Sequence, residues 1–290
     1  MDDNAFEAKN LFANHPRHWR ENLYIYPVIS RRGQGLSVGV NLNPDKACNF
    51  DCIYCQVDRS IPPTVRKVDV DILRDELDRM AALVVSGELF NDPQFGHVPA
   101  ALHRFNDIAF SGDGEPTTSP QFPAAVQIAA EIRRKYQLNA VKLVLITDST
   151  YLHKPAVKDA LAVLDANNGE IWAKLDAGTE EHYRLVNRPN VPLANILANI
   201  LEAARVRPIV IQSLWMNIHG VPPSDAEVDA FAGRLRDILQ TGGQLKLVQM
   251  HTIARRTAEP WATPLDNATL DRLANRVRTI IDVPVATFGA

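Results

Sequence analysis

The sequence predicts an α/β protein whose strands run parallel, with helices packed outside them. Three observations predict this class. Apolar strand-like runs alternate with segments of helical spacing about six times. The run "AVKLVLIT" at residues 140–147 is continuously apolar, as expected of a strand buried on both faces. Polar residues collect just after the carboxyl end of each strand-like run, while the opposite ends carry fewer. In parallel α/β folds that end is where functional side chains gather.

Residues 1–36 read as an N-terminal extension that packs through Trp19, Tyr24 and Tyr26, and residues 37–290 read as one domain. Leu36 to Leu42 forms the first strand, stopped by the turn signal Asn43-Pro44-Asp45. Val70 to Leu83 is helical, with Ile72, Leu73, Leu77, Met80 and Leu83 near one face. "DIAFSG" is the second strand, residues 121–137 a helix, and residues 140–147 the third strand. "KPAVKDALAVLD" is a helix, "GEIWAKLDA" a strand, residues 192–205 a helix and "RPIVIQSLW" a strand. The next helix begins at Ser224 with Glu227 three residues on, the pattern of a capping box. "LKLVQMHTI" is the last strand and residues 266–281 the last helix.

With 290 residues, 46% hydrophobic, the chain can bury a large core. A net charge of -3 argues against wholesale binding to nucleic acid or to a membrane surface, though not against a local basic patch. No apolar run approaches the ~18 residues of a membrane span. The start "MDDNAFEAKN" is polar and acidic and lacks the apolar core of a signal peptide. All three cysteines lie within "ACNFDCIYC", an odd and clustered count that argues for a reducing cytoplasm over a disulfide framework.

Cys48, Cys52 and Cys55 are one too many for a disulfide and one too few for a closed four-ligand metal site. They could be inert core thiols on one helical face, although the surrounding Asn49, Asp51, Gln56 and Asp58 are polar. They could bind zinc if the fold brought His97 or His251 as a fourth ligand. They could hold an iron–sulfur cluster, which usually takes four thiolates; three leave one iron open to a small molecule.

The spacing Cys48-x3-Cys52-x2-Cys55, with Tyr54 before the last cysteine, resembles the cluster loop of the radical S-adenosylmethionine superfamily. "SGDGEPTT" resembles that family's Gly-Gly-Glu-Pro element; Asp113 stands where the commoner pattern has glycine, while Gly114, Glu115 and Pro116 match. The six βα units fit the family's partial (β/α)6 barrel, and the resemblance covers roughly residues 36–255. Within the family, "VNLNPDKACNFDCIYCQV" looks most like the iron–sulfur oxidoreductases related to the wybutosine-type transfer-RNA enzymes.

The resemblance implies that the three thiolates hold a [4Fe–4S] cluster and that S-adenosylmethionine chelates its open iron. Reductive cleavage would yield a 5′-deoxyadenosyl radical that abstracts hydrogen from a substrate, fed by an electron donor of flavodoxin or ferredoxin type. It implies cofactor contacts at Tyr54 and at Gly112, Asp113, Gly114, Glu115 and Pro116, although that segment also reads as a tight turn into a Pro-started helix. Thr147 could reach ribose or substrate, as could Asp148 and Ser149, or all three could cap a helix. Lys174 and Asp176 share a strand face, and a charge there needs a partner. Asn217 and His219 could touch adenine or substrate, while His251, Arg255 and Arg256 read equally as structural or solvated groups. No cysteine remains for an auxiliary cluster, a methyl relay or a thiyl radical. The substrate is a small molecule or an RNA; "HPRHWR" and Arg31-Arg32 favour RNA, and the acidic balance opposes it. A zinc-stabilised interaction protein without catalysis is the reading of another class.

Overall fold

The computed structural model describes residues 19–289; residues 1–18, with most of the "HPRHWR" stretch, and Ala290 lie outside the described residues. The fold is mixed α/β with mostly parallel strands and surrounding helices, as the sequence predicts. The chain divides into two compact units. The first comprises the described residues up to Cys48 together with Pro62–Ile146 and Lys154–Glu170; the second comprises Asn49–Ile61, Thr147–His153 and the chain from Ile171 on. Among the described residues no helix is long and apolar enough to cross a membrane.

In the first unit the strands lie in the order β1 (Ile25–Ser30), β2 (Gly35–Val40), β3 (Phe105–Phe110) and β4 (Lys142–Thr147). β2, β3 and β4 are mutually parallel, and β1 joins β2 as an antiparallel hairpin. The extension expected only to pack thus supplies a strand. Its Pro27 suits the sheet edge, where a missing N–H costs least. Trp19, Tyr24 and Tyr26 are buried as expected.

Helix α1 (Val70–Ser86) is capped by the Asp69 carboxylate at its start and by Gly87, at φ +79°, at its end. Its buried face is Leu73, Leu77, Met80, Ala81 and Val84, whereas Ile72 is exposed. Glu76 sits on the buried face because it has work there: its carboxylate accepts the backbone N–H groups of Leu23, Tyr24 and Ile25 at 2.7, 2.9 and 3.2 Å. Helices α2 (Phe122–Lys135) and α3 (Pro155–Asp165) complete this unit.

The amino ends of these strands are more polar than the sequence suggests. Ser37 faces Asp107 across β2 and β3, Asp107 faces Lys142 across β3 and β4, and Lys142 Nζ pairs with Glu170 at 2.9 Å. Burial pushes the Asp107 carboxyl up to about 6, opposed by the hydroxyl of Ser37 donating to it.

In the second unit β5 (Gly169–Lys174) continues from the boundary, followed by α4 (Glu180–Asn187), α5 (Leu193–Val206), β6 (Ile209–Leu214) and β7 (Met216–Ile218). Then come α6 (Asp225–Gln240), β8 (Leu245–His251), β9 (Ala262–Pro264), α7 (Asn267–Arg278) and β10 (Val285–Phe288). The parallel order is β5-β6-β8-β10, and β7 pairs antiparallel with β9. β7, β9, β10 and the short α4 add to the elements expected from sequence. At α6 the Ser224 hydroxyl accepts the Glu227 N–H at 3.2 Å, but the Glu227 carboxylate does not return to Ser224. It instead accepts Gly178 N, Thr179 N and Thr179 Oγ1 at 2.5, 3.2 and 2.6 Å, so only half of the expected capping box forms.

Candidate active site at the cysteine loop

Where β2 ends, the chain reads Asn41-Leu42-Asn43-Pro44, and both asparagines bind the loop that follows β3. Asn41 Nδ2 donates to Asp113 Oδ2 at 2.8 Å, and Asp113 N donates back to Asn41 Oδ1 at 3.2 Å. Asn43 Nδ2 donates to Thr118 Oγ1 at 3.0 Å. The two glycines are needed for this close approach. A Cβ on Gly112 would come within 2.3 Å of Asn41 Oδ1, and one on Gly114 within 2.0 Å of the Ala47 carbonyl oxygen. Glu115 and Pro116 lie in the same turn: the Glu115 carboxylate accepts Thr117 N at 3.1 Å and Thr117 Oγ1 at 2.5 Å, and Pro116 starts a short 3-10 turn. The Gly-Asp-Gly-Glu-Pro element and the segment leading to the exposed Cys48 therefore form one stitched structure within the first unit.

Cys52 and Cys55, both half-buried, belong to the second unit. The two residues between them are the anchor. Ile53 and Tyr54 are buried in an apolar cluster with Val186, Leu214, Met216, Ile253 and Ala262. Burial of two such side chains contributes about 3–6 kcal/mol toward holding the loop. The backbone is fixed on both sides. Asp51 N and Ile53 N donate to the Asn187 and Val186 carbonyls at 3.1 and 2.9 Å, groups that the end of α4 leaves without helical partners. Ala258 N and Glu259 N donate to the Cys55 and Ile53 carbonyls at 2.8 and 3.1 Å. Arg188, held at φ +44° at the end of α4, pairs with Glu259 at 2.7 Å and Asp51 at 3.5 Å.

Below this loop lies a buried polar network. Tyr54 Oη donates to Asp176 Oδ2, Asn187 Nδ2 donates to the same oxygen at 2.8 Å, and Leu214 N donates to Asp176 Oδ1 at 2.8 Å. Lys174 Nζ stands 3.9 Å from Asp176 and 4.5 Å from the centre of the Tyr54 ring. The Asn187 amide also reaches Cys52 Sγ at 3.4 Å. Burial pushes the Cys52 thiol up to about 11, with the Lys174 cation opposing it, and burial followed by the charge of Asp176 raises Tyr54 well above the ordinary phenol range. Next to Lys174 in register stand Gln212 and Gln249, also buried, whose amides meet at 3.4 Å.

The sequence-predicted residues thus fall into two groups and two outliers. Cys48, Gly112, Asp113, Gly114, Glu115 and Pro116 are in the first unit, and Cys52, Tyr54, Cys55, Lys174 and Asp176 are together in the second. Asn217 lies on β7 and donates to the Pro264 carbonyl at 2.8 Å, a strand-edge bond. Thr147 Oγ1 accepts Ser149 N at 3.0 Å, which makes a local turn; α3 starts later, at Pro155, so Thr147, Asp148 and Ser149 do not cap it. His219 stacks on Trp261 at 4.6 Å, and Arg256 is exposed. Arg31 and Arg32 occupy the β1–β2 turn, at the opposite end of β2 from the cysteine loop; burial lowers the pKa of Arg31.

Among the described residues no three His, Cys, Asp or Glu side chains are gathered closely enough to hold one metal ion. A single zinc draws its ligands to about 2.3 Å from one point, whereas a cubane spreads three thiolates over three irons. The loop is fastened around its second and third thiols, Cys52 and Cys55, which lie in the second unit.

No model of a known protein family matches the chain. An archaeal TYW1 structure superimposes with a TM-score of 0.51, covering 97% of this chain and 90% of that one at 11% identity. A structure of TYW1 with a lysine–pyruvate adduct bound gives 0.53, covering 94% and 81% at 14% identity. The fold is that of TYW1. The partial-barrel expectation agrees with the TYW1 fold. Curated relatives include UPF0026 protein MJ1312 of Methanocaldococcus jannaschii, 28% identical over 180 residues. A UPF0026 protein of Helicobacter pylori is 26% identical over 218 residues, and GTPase Obg of Brachyspira hyodysenteriae 24% over 253. The matches cover 61%, 73% and 85% of this chain but 46%, 61% and 32% of those proteins, respectively. The chain spans only 32% of the GTPase, so that name stays with the relative.

Asn41, Asn43, Asn187, Gln212 and Gln249 belong to the candidate site, and sequence reasoning did not single them out. Asn41 reads only as a residue of the first strand and Asn43 only as a turn residue, and a lone asparagine at a helix end or a glutamine in an apolar strand has no spacing signature.

Proposed function

We propose that this protein is a radical S-adenosylmethionine enzyme in which Cys48, Cys52 and Cys55 hold a [4Fe–4S] cluster, and that its substrate is RNA of the transfer-RNA class. The observation that carries the proposal is the pinned Cys52-Ile53-Tyr54-Cys55 segment, whose intervening residues are buried anchors while Cys52 and Cys55 themselves are half-buried. The motif resemblance and the TYW1 fold support it. When bound, the cluster would supply the electron that cleaves S-adenosylmethionine to a 5′-deoxyadenosyl radical.

The chain's own residues do the rest. Ile53, Val186, Leu214, Met216 and Ile253 keep water from the base of the loop. Asp176 locks Tyr54, and the half-buried Lys174 ammonium offers a positive charge to an anionic or carbonyl oxygen of cofactor or substrate. The asparagine-stitched Gly112–Pro116 loop holds its backbone groups rigid beside the segment that carries Cys48. A flavodoxin- or ferredoxin-type donor in a reducing cytoplasm fits this chemistry.

Anaerobic reconstitution should give roughly four irons per chain. With dithionite, the reconstituted protein should release 5′-deoxyadenosine, and it should shift transfer RNA in a salt-sensitive way. Full iron without cleavage would defeat the catalytic reading, and cleavage without RNA binding at low salt would defeat only the substrate class. The zinc-stabilised alternative needs a single-ion ligand group, and no observation among the described residues favours it.

A further inference from the structure

Two side-chain donors reach the cysteine sulfurs. Asn187 Nδ2 lies 3.4 Å from Cys52 Sγ, and Arg59 Nη1 lies 3.3 Å from Cys55 Sγ. They come from different places: Asn187 is buried at the end of α4, and Arg59 is exposed four residues after Cys55. The orientation of the Asn187 amide is informative. Its nitrogen faces three acceptors, namely Asp176 Oδ2, Cys52 Sγ and Tyr54 Oη, while its own oxygen is buried with no hydrogen-bond partner among the described residues. A flipped amide would set that oxygen against the Asp176 carboxylate and the sulfur, so the amide is held for its donor side. An unpaired buried carbonyl is costly, and such a cost is expected where the donor side is in use.

We infer that Asn187 and Arg59 are positioning residues for the cluster, donating N–H···S hydrogen bonds to Cys52 and Cys55 that make the bound cluster easier to reduce. The inference rests on the cluster assignment proposed above. Its physics is general: hydrogen bonds to ligating sulfur are among the levers that set cluster potentials. Reduction adds negative charge to the cluster and its thiolates, and a fixed donor stabilises the more negative state more strongly. Arg59 adds a formal positive charge, screened by its exposure. Asn187 acts from a buried site where screening is weak. The same amide nitrogen faces Cys52, Asp176 and Tyr54, so the sulfur is orientated by contacts in place without the cluster.

The test is a redox titration of the reconstituted protein followed by electron paramagnetic resonance. Asn187→Leu keeps the side-chain size and removes the donor; Arg59→Met does the same at an exposed position where folding is not at stake. Both are expected to bind as much iron as the wild type and to show a more negative midpoint potential. Arg59→Lys, which restores a cationic donor, should recover most of the shift. A midpoint unchanged in Arg59→Met, or in Asn187→Leu with full iron, overturns the inference while leaving the cluster assignment standing. A wild-type chain that binds no cluster overturns both.

Discussion

The hydroxyl of Tyr54 donates to the carboxylate of Asp176 across 122 residues of sequence, and both groups are buried. The same carboxylate accepts Asn187 and the backbone of Leu214 and stands near Lys174. One side chain thereby ties the cysteine loop to the ends of α4, β5 and β6.

Asp176→Ala would leave the Tyr54 hydroxyl, the Asn187 amide and the Leu214 N–H buried without their acceptor. We expect a loss of about 3–5 kcal/mol in urea unfolding, against about 1–2 kcal/mol for Tyr54→Phe. Equal losses in the two variants would show that Asp176 does not centre the network.

Gly114→Ala places a methyl group 2.0 Å from the Ala47 carbonyl, next to Cys48. The contact is with backbone and cannot be relieved by a side-chain rotation. Reconstituted iron is expected to fall well below half of the wild-type level, with the far-ultraviolet circular dichroism spectrum unchanged. Normal iron content in this variant would show that the loop tolerates the displacement.

Glu76→Ala removes the acceptor of three backbone N–H groups at the start of β1. Each bond is to a charged group and contributes about 1.5–3 kcal/mol, though not additively, so a loss of about 3–5 kcal/mol is expected. Hydrogen exchange should show Leu23, Tyr24 and Ile25 deprotected first; uniform deprotection would count against a local role.

Asp107 gives a pH dependence of definite sign. Its carboxyl, raised from 3.8 to about 6, binds a proton more tightly in the folded state. The stability it contributes is present below about pH 4 and is lost as pH rises through about 6. Asp107→Asn, neutral throughout, should therefore gain on the wild type as pH rises from 4 to 7, by about 2–3 kcal/mol at the upper end. Parallel stability profiles for the two proteins would refute the shift.

The βα alternation was legible because parallel strands buried on both faces are uniformly apolar, and the cysteine spacing was legible because a ligand pattern is local. What escaped was set by tertiary pairing. Ile25–Ser30 carries a proline and reads as irregular until an edge position accommodates it. Residues 180–187 are too short and too polar for a helical period, yet Thr179 caps them and Glu227 fixes the cap. Asn187 gains its role only because α4 ends beside Cys52. The row from Ser37 through Asp107 and Lys142 to Glu170 consists of single residues on separate strands, so the polarity of the amino ends appears only once the strands are in register.

The last carbonyls of α4 carry the N–H groups of Asp51 and Ile53, so an eight-residue helix acts as the hinge pin of the cysteine loop. Fraying of that final turn would free the loop while both sheets stayed intact, because local openings of this kind cost far less than global melting. Gentle warming should then bleach the brown colour of the loaded protein before the secondary structure is lost, and the colour should return on cooling under iron and sulfide.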